Sequence, residues 1–176
     1  ATIDLQNVAA LLMRLELRGV DVGDRWSTIA NICSERIDDH SNPFTSAHDA
    51  MVLAAVGEFS LIDKLLDNMR VYGSAKDSTV SNTTRGLGIP LVQAVRAHRK
   101  GQYAHVFDLI WPIRRGLHQI GGSHAQRDIF YQILVHAAVQ SNRRTQLSTL
   151  LDDIAGTGFE NVDERTLYSD AATLAV

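Results

Sequence analysis

Apolar residues recur at three- and four-residue spacing along most of the chain, and this periodicity restricts the fold more than any other feature. The first such stripe comprises Leu5, Val8, Leu11, Leu12 and Leu15. No segment alternates between apolar and polar residues over a useful length, so no β-strand is predicted. The sequence therefore predicts an all-α fold of about seven to nine helices arranged as antiparallel hairpins.

Several helix boundaries are marked by residues that cap or break helices. Asn42 and Pro43 suit an N-cap and a first helical residue, and Ser123 with Gln126 forms a capping-box pattern. Pro112 predicts a kink or a restart after Trp111. Asp24 and Asp163 are further candidate N-caps, so that short loops are expected between neighbouring helices.

One segment interrupts the apolar pattern. Between Gly73 and Arg85 the composition turns to Ser, Thr, Asn and Gly, so residues 73–85 are predicted to form a linker or the most mobile internal loop. The whole of residues 1–176 is expected to form one helical-repeat domain. The start at Ala1, without Met, is also compatible with a fragment of a longer chain.

Composition excludes several classes of function. The net charge of −3 and the pI of about 6.2 argue against a nucleic-acid-binding protein. No stretch reaches the roughly 18 consecutive apolar residues of a membrane span, so no membrane partner is predicted. Cys33 is the single cysteine and is expected to be a small core residue, which favours a reducing, cytoplasmic compartment. No cofactor is predicted.

One helical pair carries a pattern typical of a known repeat. Its small and aromatic residues are Ala94, Ala97, Gly101, Tyr103, Val106 and Ile110. Their spacing resembles the tetratricopeptide repeat, in which small residues let two helices approach closely. This resemblance implies a stacked, right-handed superhelix, although Val106 replaces the usual Ala and Pro112 is unexpected.

A second resemblance is carried by a longer set of motifs. These are Gly88 to Leu91, Trp111-Pro112-Ile113-Arg114, and the block Gly121-Gly122-Ser123-His124-Ala125-Gln126-Arg127-Asp128. Together they resemble the C-terminal half of the tetratricopeptide repeat protein 38 family, over about residues 25–155. The resemblance implies a helical-repeat fold, and it does not bring an established activity with it.

Two histidines form the first candidate site. His40 and His48 flank the break at Asn42-Pro43, and Asp39 and Asp49 lie beside them, so these side chains could converge on a metal ion. The spacing matches no metal motif. The alternative is structural, with His40 bonded to the end of its helix and His48 buried and satisfied by a neighbour.

The second candidate site is the start of the helix after Gly121-Gly122. Ser123, His124, Arg127 and Asp128 could hold a carboxylate or phosphate there, with His124 as a proton donor. Alternatively, Ser123 only caps the helix, and Arg127 and Asp128 join neighbouring helices by an ion pair. A nucleophilic Ser123 is disfavoured because no Gly-x-Ser-x-Gly elbow is present. Arg127 is expected to meet a carboxylate, and Arg99 to be solvated.

Two classes of function remain. The favoured one is a binding or scaffold module that holds a peptide, a protein partner or another copy of itself on a concave surface. The alternative is an enzyme or a small-molecule binder, for an anion or a metal, whose pocket is lined by the candidate residues of both sites. A binding module performs no catalysis, so an enzymatic activity is the less favoured prediction.

Overall fold

The computed structural model describes residues 2–39, 42–75, 77–156 and 165–175. These residues are all-helical, and no strand occurs among them. The α-helices are α1 (Thr2–Leu17), α2 (Ser27–Ser34), α3 (Pro43–Ala55), α4 (Phe59–Ala75), α5 (Thr79–Thr83), α6 (Ile89–Arg99), α7 (Tyr103–Ile110), α8 (His124–Gln140), α9 (Arg144–Ala155) and α10 (Thr166–Leu174).

Three segments have other helical geometries. Residues Gly23–Trp26 and Trp111–Ile120 form 3-10 helices, and Thr84–Gly88 forms a π-helix between α5 and α6. The stretch from α5 through α6 is continuous, and counted as one helix it makes nine helices in the described ranges. The predicted all-α class and number of helices are thus confirmed.

Helix α3 lies at the centre of the fold. Every residue from Pro43 to Ala54 is buried, so α3 has no polar face turned to solvent. It packs against α1, α2, α4 and α6. Its start follows from the sequence, because the Asn42 side chain accepts a 2.9 Å hydrogen bond from the Phe44 amide and Pro43 occupies the first turn. The predicted cap is confirmed.

The second half continues from this centre as consecutive packed helices. Helix α6 packs against α3 and α7, α7 against α8, and α8 against α9 and α10. Ala94 and Ala97 are buried in α6, and Gly101 makes the turn to α7 with a φ of 69° that favours glycine. The predicted restart at Pro112 is confirmed, since α7 ends at Ile110 and the 3-10 helix follows.

The predicted linker at residues 73–85 is helical over most of its length. Helix α4 continues to Ala75, and α5 begins after a capping box formed by Ser78 and Ser81. Arg85 of the π-helix then donates a 2.8 Å hydrogen bond to the Gly73 carbonyl and ties the π-helix to α4. Polar composition indicated a loop, but hydroxyl groups satisfy the backbone locally and allow a helix. The greater mobility of this segment stays a prediction.

One smaller expectation differs from the structure. The predicted helix after Asp24 begins as a 3-10 turn, and it is the Asp21 carboxylate that accepts a 2.8 Å hydrogen bond from the Gly23 amide. The candidate cap Asp163 lies outside the described residues.

Cys33 is fully buried as predicted, and burial raises the pKa of its thiol. In the described part of the chain, no helix is long and apolar enough to cross a membrane.

Candidate functional site

The start of α8 is built by a reciprocal capping box. The Ser123 hydroxyl accepts a 3.3 Å hydrogen bond from the Gln126 amide, and the Gln126 side chain accepts a 2.9 Å bond from the Ser123 amide. Gly122 precedes it with a φ of 73°, and a Cβ there would lie 2.7 Å from the Phe44 ring. Ser123 therefore caps α8 as predicted, and its position depends on a glycine and on α3.

The candidate residues of this helix start face two different cavities. His124 and Arg127 line a cavity beside the 3-10 helix Trp111–Ile120, whereas Ala125 and Gln126 line a cavity beside α1 and α3. His48 lines the second cavity, and Asp128 is buried next to it with 1% exposure. The structure thus does not bring His48 and His124 into one pocket.

The first cavity, here called the basic cavity, has a volume of about 360 Å³. Its charged and titratable lining residues are Arg114, Arg115, His118, His124, Arg127 and Asp153. Tyr131 completes the wall and donates a 2.8 Å hydrogen bond to the Arg114 carbonyl. Three guanidinium groups face one carboxylate, so the lining carries an excess of two positive charges before the histidines are considered.

Two of these arginines are anchored. The Arg114 guanidinium lies 3.6 Å from the centre of the Trp111 ring and donates a 2.9 Å hydrogen bond to Asp153. Arg115 donates a 2.9 Å bond to the other oxygen of the same carboxylate, while its side chain is 73% exposed. Arg114 is thus held rigidly in the wall, and Arg115 stands at the solvent-exposed rim.

Arg127 has different partners from those predicted. Its guanidinium donates to the carbonyls of Gly121 and Gly122, and none of the described carboxylates is within ion-pair distance of it. Within the described residues, Arg127 therefore lacks the carboxylate partner that was predicted. Arg99 is exposed, as expected, and it also forms a 3.0 Å ion pair with Glu16 and lies over the Trp26 ring.

His124 is poorly suited to donate a proton near pH 7. Partial burial is the largest influence on its ring, and the neighbouring Arg127 adds to it, so the pKa of His124 is lowered. A neutral ring can accept or donate a hydrogen bond but carries no excess proton. In the basic cavity, His124 therefore contributes hydrogen bonding rather than charge.

Asp128 organises the opposite side of α8. Its carboxylate accepts 2.6 Å hydrogen bonds from Arg165 and from the Tyr168 hydroxyl, and one from Gln132. Arg14 of α1 lies 3.6 Å away. The predicted inter-helix ion pair thus exists for Asp128, and its partners are Arg14 and Arg165 rather than anything involving Arg127.

His48 is fully buried, as the structural interpretation predicted. Its Nδ1 lies 2.7 Å from the Phe44 carbonyl, and because a carbonyl only accepts, Nδ1 carries the proton. Burial is the main reason that the pKa of His48 is lowered to about 4. Nε2 is buried and has no hydrogen-bond partner among the described residues. The predicted burial of His48 is therefore confirmed, but only one of its two ring nitrogens has the predicted hydrogen-bond partner among the described residues.

The metal hypothesis obtains no support from the described residues. No group of three or more His, Cys, Asp or Glu side chains in those ranges is placed to hold a metal ion. Asp39 and His48 belong to no such group, and His40 lies outside the described residues. Asp49 instead faces Arg36 at 3.5 Å, and burial raises the pKa of the Asp49 carboxyl to about 6.

Several residues with unusual environments were not predicted. His98 Nε2 lies 3.0 Å from His136 Nδ1, and the Tyr103 ring packs against both imidazoles. Burial is the main cause that lowers the pKa of His98 to about 3. These two histidines lie 38 positions apart on α6 and α8, so no local pattern could pair them. Arg114, in contrast, belonged to a motif already noted, Trp111 to Arg114.

Over its described ranges the chain is all-helical, with a basic cavity and a separate buried-histidine cavity on two faces of one capped helix. No protein-family model matches the chain, and no solved structure matches it.

Proposed function

We propose that this chain is a helical binding module that holds an acidic segment of a protein partner in the basic cavity. The observation that carries the proposal is the excess of arginine in that lining: Arg114, Arg115 and Arg127 face the single carboxylate of Asp153. Arginine side chains suit carboxylate and phosphate groups because their planar donors can bind both oxygens of an anion at once.

Arg127 is the cation most available to a ligand. It uses part of its five-donor guanidinium on two backbone carbonyls, and its charge has no carboxylate partner among the described residues. Arg114 is pre-ordered by Trp111 and Asp153, so little side-chain entropy would be lost when a ligand binds. Arg115 at the rim favours a ligand that extends out of the cavity, as a peptide does.

The arrangement of the helices and the location of the protein are parts of the same proposal. The buried Ala94 and Ala97 and the positive φ of Gly101 support a tetratricopeptide-like pairing of α6 with α7. Such pairs stack into superhelices that leave a surface for peptides. The single, buried thiol of Cys33 supports a cytoplasmic location. Another copy of this chain, whose surface also carries acidic residues, is a further candidate partner.

Binding of fluorescein-labelled Asp- and Glu-rich peptides, measured by fluorescence anisotropy, tests the proposal. We expect Arg127→Ala and Arg115→Ala each to weaken binding by about tenfold, equivalent to losing one charge-assisted contact. Arg144→Ala removes an exposed charge outside the cavity and should change the affinity less than twofold. Equal losses in all three variants would indicate non-specific attraction and overturn the proposal.

Two further outcomes separate the alternatives. If inorganic phosphate binds in an Arg127-dependent way while no acidic peptide does, the ligand is a small anion and the protein-partner proposal is wrong. If the chain self-associates in light scattering, and Arg127→Ala abolishes that association, the partner is a second copy. Unchanged peptide binding in the Arg127→Ala variant would place the peptide elsewhere on the surface.

A further inference from the structure

Helix α1 carries apolar residues on two of its faces. Leu5, Ala9 and Leu12 are buried against the rest of the fold, whereas Val8 and Leu11 are 40% and 55% exposed. A helix that packs on one side only has a polar outer face in most globular proteins. A second apolar face on α1 therefore indicates a second contact, which the described residues of one chain do not supply.

The exposed apolar residues form one line along α1. Val8, Leu11 and the half-buried Leu15 recur at spacings of three and four residues, so they lie on one side of the helix. Asp4 and Arg18 continue this spacing at either end, and both are exposed. The five positions, here called the outer face of α1, alternate by four and three residues, as in the contact line of two paired helices.

The charges at the two ends of the outer face indicate what pairs with it. Asp4 lies seven positions before Leu11, and Arg18 lies seven positions after it. Two copies of α1 that cross antiparallel at Leu11 would therefore place each Asp4 opposite the Arg18 of the other copy. A parallel pair would place like charges opposite each other, which is unfavourable. The outer face is thus complementary to itself in the antiparallel orientation.

This complementarity does not require Asp4 to be without contacts in its own chain. Asp4 does have an interaction there, and an ionised carboxylate can accept several hydrogen bonds. Antiparallel pairing also brings the positive end of each helix dipole next to the negative end of the other. The apolar centre supplies the burial, and the charged ends select the orientation.

We propose that the outer face of α1 is a self-association surface, on which a second copy of this chain docks its own α1 in antiparallel orientation. The contact is isologous, with Leu11 of both copies meeting at the two-fold axis and Val8 and Leu15 packing on either side of it. No residue of this surface lines the basic cavity, so self-association through α1 leaves the acidic-peptide site open.

The size of the outer face limits the affinity. Residues 4–18 span about 22 Å at about 1.5 Å per residue, and one side of a helix is about 10 Å wide. Such a contact is smaller than the roughly 1,200–2,000 Å² of standard stable interfaces, so we expect a dissociation constant on the order of 10–100 µM.

Sedimentation of the wild-type chain between about 5 and 300 µM measures this equilibrium. Leu11→Lys should remain monomeric throughout that range, because it places two cations at the centre of the contact. Val71→Lys is the matched control, since Val71 is 71% exposed on α4, and it should associate as the wild type does. A monomeric wild type at the highest concentration, or equal association of Leu11→Lys and the wild type, would overturn the proposal.

Charge reversal tests the orientation separately. Asp4→Arg places a cation opposite each Arg18, so this variant should dimerise about tenfold more weakly than the wild type. Adding Arg18→Asp to it restores opposite charges and should recover most of the lost affinity. A double variant as weak as Asp4→Arg would refute the antiparallel contact.

A new thiol at the two-fold axis gives a direct readout. Cys33 is buried and is the single native cysteine, so its thiol should not form cross-links between chains. Under mild air oxidation, Leu11→Cys should yield a disulfide-linked dimer, and Val71→Cys should not. Equal cross-linking of both variants would indicate random collision. Self-association that is lost in Arg127→Ala but kept in Leu11→Lys would assign the contact to the basic cavity and refute this surface.

Discussion

The hydroxyl of Tyr168 donates a 2.6 Å hydrogen bond to Asp128 and so connects α10 to the first turns of α8. Both side chains are almost completely buried, at 0% and 1% exposure. The second oxygen of Asp128 is occupied by Arg165 and Gln132, while Arg14 approaches from α1. A single carboxylate therefore joins the first helix, the capped helix α8 and the last described helix.

Asp128→Asn should lower the free energy of unfolding by about 3 kcal/mol. The amide would leave the Arg14 and Arg165 cations without their shared counter-charge, and removal of one partner from a buried ion pair is strongly destabilising. Asp170→Asn, an exposed site on the same α10, is the control and should stay within about 0.5 kcal/mol. Urea denaturation of both variants measures the difference, and equal stabilities would contradict the role assigned to Asp128.

Two glycines of the π-helix should respond in opposite ways to alanine. A Cβ at Gly88 would lie 2.7 Å from the Pro43 side chain and 3.1 Å from Met69, so Gly88→Ala should destabilise the fold by about 1–3 kcal/mol. At Gly86 nothing lies within 4 Å, and Gly86→Ala should be neutral or stabilising by up to about 1 kcal/mol. Thermal melts that rank the two variants the other way would show that α3 does not approach the π-helix so closely.

Acid should destabilise the protein as the pH falls below about 6.5. In the folded chain the pKa of His48 is lowered to about 4 and that of His98 to about 3, chiefly by burial, so the unfolded chain binds more protons in this range. The stability from each neutral ring is complete above the unfolded pKa and is lost as the pH falls. Each histidine contributes a slope of at most about 1.4 kcal/mol per pH unit.

Asp49 partly opposes this trend. Burial raises the pKa of its carboxyl to about 6, so the folded chain gains a proton first and stability rises as the pH falls through that value. With at least two histidines against one carboxyl, the urea midpoint should decrease from pH 7.5 to pH 5. His98→Gln should flatten this dependence, whereas substitution of the exposed His105 should not. A urea midpoint that rises toward pH 5 would show that the buried histidines do not dominate the pH dependence of stability.

Arg127→Ala and Arg99→Ala should have similar, small effects on stability. The sequence predicted a carboxylate partner for Arg127 and a solvated Arg99, but among the described residues Arg127 bonds backbone carbonyls, and Arg99 has a partly exposed ion pair with Glu16. Such exposed pairs contribute at most about 1 kcal/mol. We therefore expect the two melting temperatures to agree within a few degrees; a markedly larger loss for Arg127→Ala would require a buried partner.

Local sequence rules predicted most of the helices and several of their starts. Local rules were sufficient at Asn42-Pro43 and at Ser123, because a cap satisfies amides only two or three residues away. The same rules failed at residues 73–85, where polar composition suggested a loop and hydroxyl groups instead formed the cap and internal bonds of a helix. A polar composition indicates that a segment is exposed to solvent. It does not indicate which backbone groups the hydroxyl side chains can reach.

The composition of both cavities depends on contacts between distant segments. His124 and Arg127 were found from sequence because they flank a glycine-rich helix start, but the arginines that complete their cavity come from the 3-10 helix that follows α7. Asp128 pairs with Arg14, which lies 114 positions away by residue number, and with Arg165 beyond α9. Helical periodicity in the sequence predicts which residues lie on the same face of one helix. Which faces meet depends on how whole helices pack, and that is a property of the assembled core rather than of any local segment.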